Sequence, residues 1–111
     1  MTGSQFRRGD IWWVSLDPTQ GAEVRKTRPC VILTHNRLNE LRRTVVVIPL
    51  STAAEPRPPI RVPVTCRGRL VVALVDQVRA VAKHRLQSQI EAMSPDELDE
   101  VCQALAAILE L

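Results

Sequence analysis

The sequence predicts a mainly β protein closed by a single C-terminal helix, and three observations carry that expectation. Short runs of β-branched and apolar residues recur between turn-forming clusters along residues 1–93. The one strongly marked helix start, Ser94-Pro95-Asp96-Glu97, comes only after them. The chain has 111 residues, enough for one modest core, so one domain spanning 1–111 is expected.

The elements follow in order. Ile11-Trp12-Trp13-Val14-Ser15-Leu16 is aromatic and β-branched and reads as a first strand, and Asp17-Pro18-Thr19-Gln20-Gly21 ends it with turn chemistry. A second strand runs from Arg28 to about Thr34. His35 to Leu41 is polar with leucines three apart, which suits a short helical turn. Thr44-Val45-Val46-Val47-Ile48-Pro49-Leu50 forms the strongest strand signal, with Pro49 expected to mark where ladder pairing stops. Beyond a proline-rich loop, Ile60 to Val64 alternates as an edge strand does, and Leu70 to Val75 is another apolar strand. Val78 to Val81 and Leu86 to Met93 extend the pairing. In the final helix, Leu98, Val101, Cys102, Leu105, Ile108 and Leu109 share one face, while Ser94 and Glu97 suit a reciprocal capping box. That face is expected on the sheet or on a partner.

Composition narrows the function. The net charge is only +3, but residues 1–85 hold all 15 Lys and Arg with 6 of the 12 acids, and the rest of the chain holds the other 6 acids and no base. A basic body of this kind favours a polyanion, with affinity that falls steeply with salt. No apolar run approaches a bilayer's thickness and no secretory signal follows the N-terminal arginines, so a cytoplasmic protein without membrane association is expected. Cys30, Cys66 and Cys102 are odd in number and widely spaced, which argues for reduced, packed thiols rather than disulfides or a zinc knuckle. His35 and His84 have no ligand-spaced partner, and the carboxylates Asp10, Asp17, Glu23 and Asp76 are scattered. No metal and no cofactor is therefore expected, and no phosphate-cradling glycine motif is present.

The chemistry concentrates in Gly21-Ala22-Glu23-Val24-Arg25-Lys26-Thr27-Arg28-Pro29, where three cations and a hydroxyl lie between a glycine turn and a strand. Pro29 biases Arg28 toward extended backbone, and a rigid guanidinium fork matches two phosphate oxygens at once. Ser51 and Thr52 follow directly on the strongest strand, where a scaffold can aim a hydroxyl. If Arg28 and Ser51 sit at adjacent strand ends, they can share one phosphate, the arginine stabilising developing charge and the hydroxyl donating a hydrogen bond. RNA carries its own 2′-OH nucleophile, so cleavage there needs no activated protein nucleophile. Arginine stays protonated, so the base is Glu23 or the rate rests on electrostatics and positioning. Asp76 and Gln77 stand at the end of another buried strand, either lining a site or satisfying backbone groups.

Taken together, Arg8-Gly9-Asp10-Ile11-Trp12-Trp13-Val14, Asp17-Pro18-Thr19-Gln20-Gly21-Ala22-Glu23, Lys26-Thr27-Arg28-Pro29, Val47-Ile48-Pro49-Leu50-Ser51 and Ala73-Leu74-Val75-Asp76-Gln77-Val78-Arg79 resemble the MazF/PemK toxins of bacterial toxin–antitoxin modules. The order and spacing of these motifs across nearly the whole chain carry the likeness. The resemblance implies a small SH3-like β-barrel of five to seven mostly antiparallel strands with a C-terminal helix, as in the CcdB/PemK-like fold. It further implies a homodimer and a metal-independent, ribosome-independent endoribonuclease that cuts single-stranded mRNA at short sequences. Its products would carry 2′,3′-cyclic phosphate and 5′-OH ends.

By the same resemblance Arg28 is a catalytic acid/base or charge stabiliser and Ser51 the second catalytic group, with Thr52 as a rival for the hydroxyl. Glu23, Arg25, Lys26 and Thr27 would lie over the RNA groove and Asp76 and Gln77 along its floor. The partner implied is a MazE-like antitoxin whose acidic, partly disordered segment fills the groove. A toxin of this fold that poisons DNA gyrase by binding, as CcdB does, is the alternative, and a basic barrel that merely binds nucleic acid is a third reading.

Overall fold

A computed structural model describes residues 5–16 and 27–111. Seven strands form one antiparallel, curled sheet: β1 (Asp10–Ser15), β2 (Thr27–Ile32), β3 (Thr44–Ser51), β4 (Arg61–Cys66), β5 (Arg69–Leu74), β6 (Arg79–Ala82) and β7 (Leu86–Ala92). Helix α1 (Asn36–Leu41) joins β2 to β3, and α2 (Pro95–Leu109) ends the chain. The strand order is β4-β5-β3-β2-β1-β7, with β6 also paired to β3. The expected mainly β fold of five to seven strands with a C-terminal helix is what forms.

The sheet curls because β3 changes partners along its length. Its first half pairs with β6, from Thr44↔Ala82 to Val47↔Arg79, and its end pairs with β5 through Leu50↔Ala73 and Ser51↔Val72. Pairing with β2 ends at Cys30↔Pro49, but β3 itself continues to Ser51, two residues past the expected stop. The proline, which lacks an N–H, falls in the gap between the β6 and β5 pairings, so the strand runs through it.

Both faces of the central strands are buried, which explains why their sequences read as nearly continuous apolar runs. Alternation sends Ile11, Val31, Ile48 and Leu50 to a core shared with α2, where Val101, Ala104, Leu98, Leu105 and Ile108 pack. It sends Trp12, Val14, Cys30, Ile32, Val45 and Val47 to a second cluster with Phe6, Val81 and Leu86. The apolar face of α2 is thus spent on its own sheet. Gly9 holds φ +93°, and a Cβ there would meet Leu98 Cδ2 at 3.2 Å, so the turn into β1 needs glycine.

The capping box forms only in half. The Glu97 N–H donates to Ser94 Oγ at 3.2 Å, as expected of the N-cap serine. The Glu97 carboxylate, however, accepts from the Thr65 N–H (3.0 Å) and hydroxyl (3.1 Å) instead of returning to Ser94. β4 is an edge strand, and the carboxylate satisfies a donor that no neighbouring strand reaches. His35 and His84 are exposed, and His35 Nδ1 accepts from the Arg37 N–H at the start of α1.

Candidate active site

Period-two alternation decides which loop-proximal residues meet. On β2, Arg28 lies on the same side as Cys30 and pairs with Val14 of β1, while Pro29 faces the other way. On β3, Ser51 and Thr52 diverge in the same manner. A cleft of about 430 Å³ is lined by Arg28, Ser51, Gln77, Leu16, Ala54, Arg61 and Leu74. Arg28 and Ser51, from strands β2 and β3, therefore line one space. Thr52 is exposed and lines a different pocket on the opposite face.

The serine is held by its loop. Ser51 is buried, and its Oγ accepts from the Ala53 N–H (3.1 Å) and the Ala54 N–H (3.2 Å). A hydroxyl oxygen has two acceptor positions, and both are taken, so its own proton remains to be donated. Arg28 is half-buried, and its guanidinium has no hydrogen-bond or ion-pair partner among the described residues. Arg61 is likewise without a partner there, so two cations border one buried hydroxyl.

Cys30 lies two residues after Arg28 on the same side of β2 and does not line the cleft. Burial pushes its thiol up to about 12, against the pull of the Arg79 and Arg28 guanidiniums. It stays a neutral thiol that donates to the Arg28 carbonyl at 3.7 Å, and so does not offset the Arg28 charge. At the end of β1, Arg85 Nη1 donates to the Ser15 carbonyl (3.1 Å) and Arg79 Nη1 to the Leu16 carbonyl (3.5 Å). Those two contacts fix the backbone that carries Leu16 into the cleft.

The other expected site residues fall in different places. Gln77, on the 3₁₀ turn Val75–Gln77 after β5, lines the cleft, whereas its exposed neighbour Asp76 does not contribute to the lining. Thr27 is exposed at the first position of β2. Glu23, Arg25 and Lys26 lie outside the described residues. Among the described residues no three His, Cys, Asp or Glu side chains are grouped to hold a metal ion. Sequence reasoning missed Arg61, whose arrival depends on the β4–β5 pairing Arg61↔Leu74 and on β5 lying beside β3.

A family model described as PemK-like, MazF-like toxin of type II toxin–antitoxin system matches residues 7–109. The chain belongs to this family. Endoribonuclease MazF9 of Mycobacterium tuberculosis is 33% identical over 115 residues, covering 96% of this chain and 98% of that relative. The crystal structure of MazF from Deinococcus radiodurans superposes with a TM-score of 0.80 at 24% identity, over 95% of this chain and 96% of its own. A MazE–MazF structure from the same organism gives a TM-score of 0.82 at 24% identity, over 95% and 96% of the two chains. A mycobacterial endoribonuclease in complex with its cognate antitoxin gives 0.80 at 21% identity, over 95% of each chain. The half-barrel with its C-terminal helix is therefore the MazF fold. Among the described residues no helix is long and apolar enough to cross a membrane.

Proposed function

We propose that this MazF-like toxin endoribonuclease cuts single-stranded RNA in the Arg28–Ser51 cleft, at short recognised sequences and without a metal ion or the ribosome. The observation that carries the reading is the convergence on one cleft of a guanidinium without a partner among the described residues and a buried hydroxyl whose oxygen already accepts twice. In the reaction the ribose 2′-OH attacks the adjacent phosphorus while the bond to the 5′-oxygen of the next nucleotide breaks. The 2′-hydroxyl proton is lost to a base and the departing 5′-oxygen gains one, giving a 2′,3′-cyclic phosphate and a 5′-OH. Arg28 and Ser51 neutralise and hydrogen-bond the non-bridging oxygens, where charge builds in the transition state. Arg28 remains a cation throughout, so the proton acceptor is a carboxylate such as Glu23 or solvent.

The half-buried position of Arg28 supports a large electrostatic contribution, since a charge away from bulk water acts more strongly than an exposed one. Arg61 and Gln77, on the same lining, hold the flanking chain. The antitoxin complexes solved for the mycobacterial and Deinococcus relatives support a corresponding partner here, an acidic segment that competes with RNA for the basic cleft. Family membership supports action as a homodimer.

The test is incubation of the purified protein with a long unstructured RNA in EDTA, with the cut sites and end groups mapped. Cuts at a recurring sequence with cyclic-phosphate ends, lost in Arg28→Ala, are expected. Cleavage that EDTA abolishes and Mg²⁺ restores would overturn the metal-free mechanism, and RNA bound but never cut would overturn the assignment of this cleft.

A further inference from the structure

The immediate neighbours of the two cleft residues build a second site on the other face of the sheet. Pro29 follows Arg28 and Thr52 follows Ser51, and both line a slot of about 220 Å³ with Trp13, Leu50, Cys66, Arg67, Arg69 and Val71. Its floor is apolar and its rim carries two exposed arginines. Trp13 is half-buried, so part of its indole stays accessible, and the Arg67 guanidinium lies 5.7 Å from the ring centroid. The volume is below the roughly 300–1,000 Å³ usual for drug-sized ligands and suits one flat heterocycle.

The turn that supplies Arg67 is built at some expense to the backbone. Arg67 and Gly68 form the two-residue connection between β4 and β5 with φ of +57° and +75°. Asparagine, aspartate or glycine normally takes the first of these positions, because other side chains are strained there. An arginine is kept at that position, and its N–H is tied to the Glu91 carboxylate at 2.6 Å. The turn thereby carries the Arg67 cation to the edge of the aromatic slot.

We propose that this slot takes one unstacked nucleobase of the RNA, gripped against the Trp13 indole by the Arg67 guanidinium, and thereby sets the sequence preference at one position beside the cut. This rests on the cleavage reading of the adjoining cleft. Single-stranded RNA is read by splaying bases onto aromatic and guanidinium planes while cations hold the backbone, and both kinds of group occur here. Consecutive residues serve the two tasks: Arg28 and Ser51 face the phosphate, Pro29 and Thr52 face the base. A chain bent over the end of β3 meets both. Arg69 adds charge for the phosphate on the far side.

The experiment maps cut sites on a mixed-sequence RNA and measures kcat/KM on an oligonucleotide carrying the preferred word, for the unsubstituted protein, Trp13→Ala, Trp13→Phe and Arg67→Asn. Trp13→Ala and Arg67→Asn should lower kcat/KM roughly 5- to 150-fold and flatten the preference at one nucleotide position. Trp13→Phe should restore most of both. Arg67→Asn should unfold at the same or a higher denaturant concentration, because asparagine suits the turn better, so its defect cannot come from instability. Arg42→Asn, the same charge change at the end of α1, should leave the preference intact. An unchanged preference in Trp13→Ala and Arg67→Asn would overturn the inference alone, as would the same variants loosening only an acidic antitoxin peptide. Intact RNA with the unsubstituted protein would overturn the cleavage reading and the slot with it.

Discussion

Replacing Ser51 by alanine should separate catalysis from folding, because the proposed mechanism gives the hydroxyl two tasks that the substitution removes by different amounts. Its oxygen accepts from the Ala53 and Ala54 N–H groups, which then lose a partner. Ala53 is exposed and Ala54 half-buried, so water replaces much of that loss and the stability cost should be about 1 kcal/mol. Its proton, by contrast, is left over from those two contacts, and on the proposed reading it is donated to the phosphate in the cleft that Ser51 lines with Arg28. If Ser51 is such a donor to the developing oxyanion, its removal should lower kcat about 10²- to 10³-fold, or roughly 3–4 kcal/mol. The assay is single-turnover cleavage of a short RNA at saturating enzyme, with urea unfolding run on the same preparations. Ser51→Thr keeps donor and acceptor and should recover most of the rate. Thr52→Ala, on the opposite face, should alter KM or base preference rather than the saturated rate. A Ser51→Ala protein that is modestly destabilised yet cleaves at the full saturated rate would refute the donor role.

Four further outcomes follow from particular contacts. Arg28→Lys keeps the charge but loses the fork, and should still cost about tenfold or more in kcat where Arg28→Ala abolishes cleavage; equal activity of the lysine variant would show that a point charge suffices. Arg61→Ala should weaken RNA binding and reduce the slope of log affinity against log salt by about one, with the saturated rate held, as read by titration at several salt concentrations. The Cys30 thiol ionises from about 9 in the unfolded chain but only near 12 in the fold, so the unfolded state releases its proton first as pH rises. Stability from this group is intact below about pH 9 and falls by up to about 1.4 kcal/mol per unit between about pH 9 and pH 12, a slope that Cys30→Ala should remove in alkaline unfolding curves. Gly9→Ala should cost about 1–3 kcal/mol in urea unfolding, since it adds positive-φ strain and presses a Cβ toward Leu98.

Much of the fold was legible from local pattern. Strand identity followed from β-branched runs such as Thr44–Ile48, and α2 from Ser94, Pro95 and the apolar spacing of Leu98, Val101 and Leu105. Local rules failed where tertiary structure offered a residue a better partner. Glu97 suits a capping box by spacing, but the unpaired Thr65 donors of the β4 edge claim its carboxylate. Pro49 reads as the end of a strand, but β3 changes neighbours at that point and passes through it.

The sequence by itself determined that a basic, mainly β chain carries Arg28 before a strand and Ser51-Thr52 at the end of another, because strand propensity and the restriction before Pro29 act over a few residues. Only the tertiary structure decided which of two adjacent hydroxyls shares a cleft with Arg28, since that depends on strand register across a curled sheet. Ser51 turns toward Arg28 and Thr52 toward Trp13 and Arg67. Arg61 and Arg67 come to those two spaces through the β4–β5 hairpin, long-range pairings that no neighbouring residue encodes.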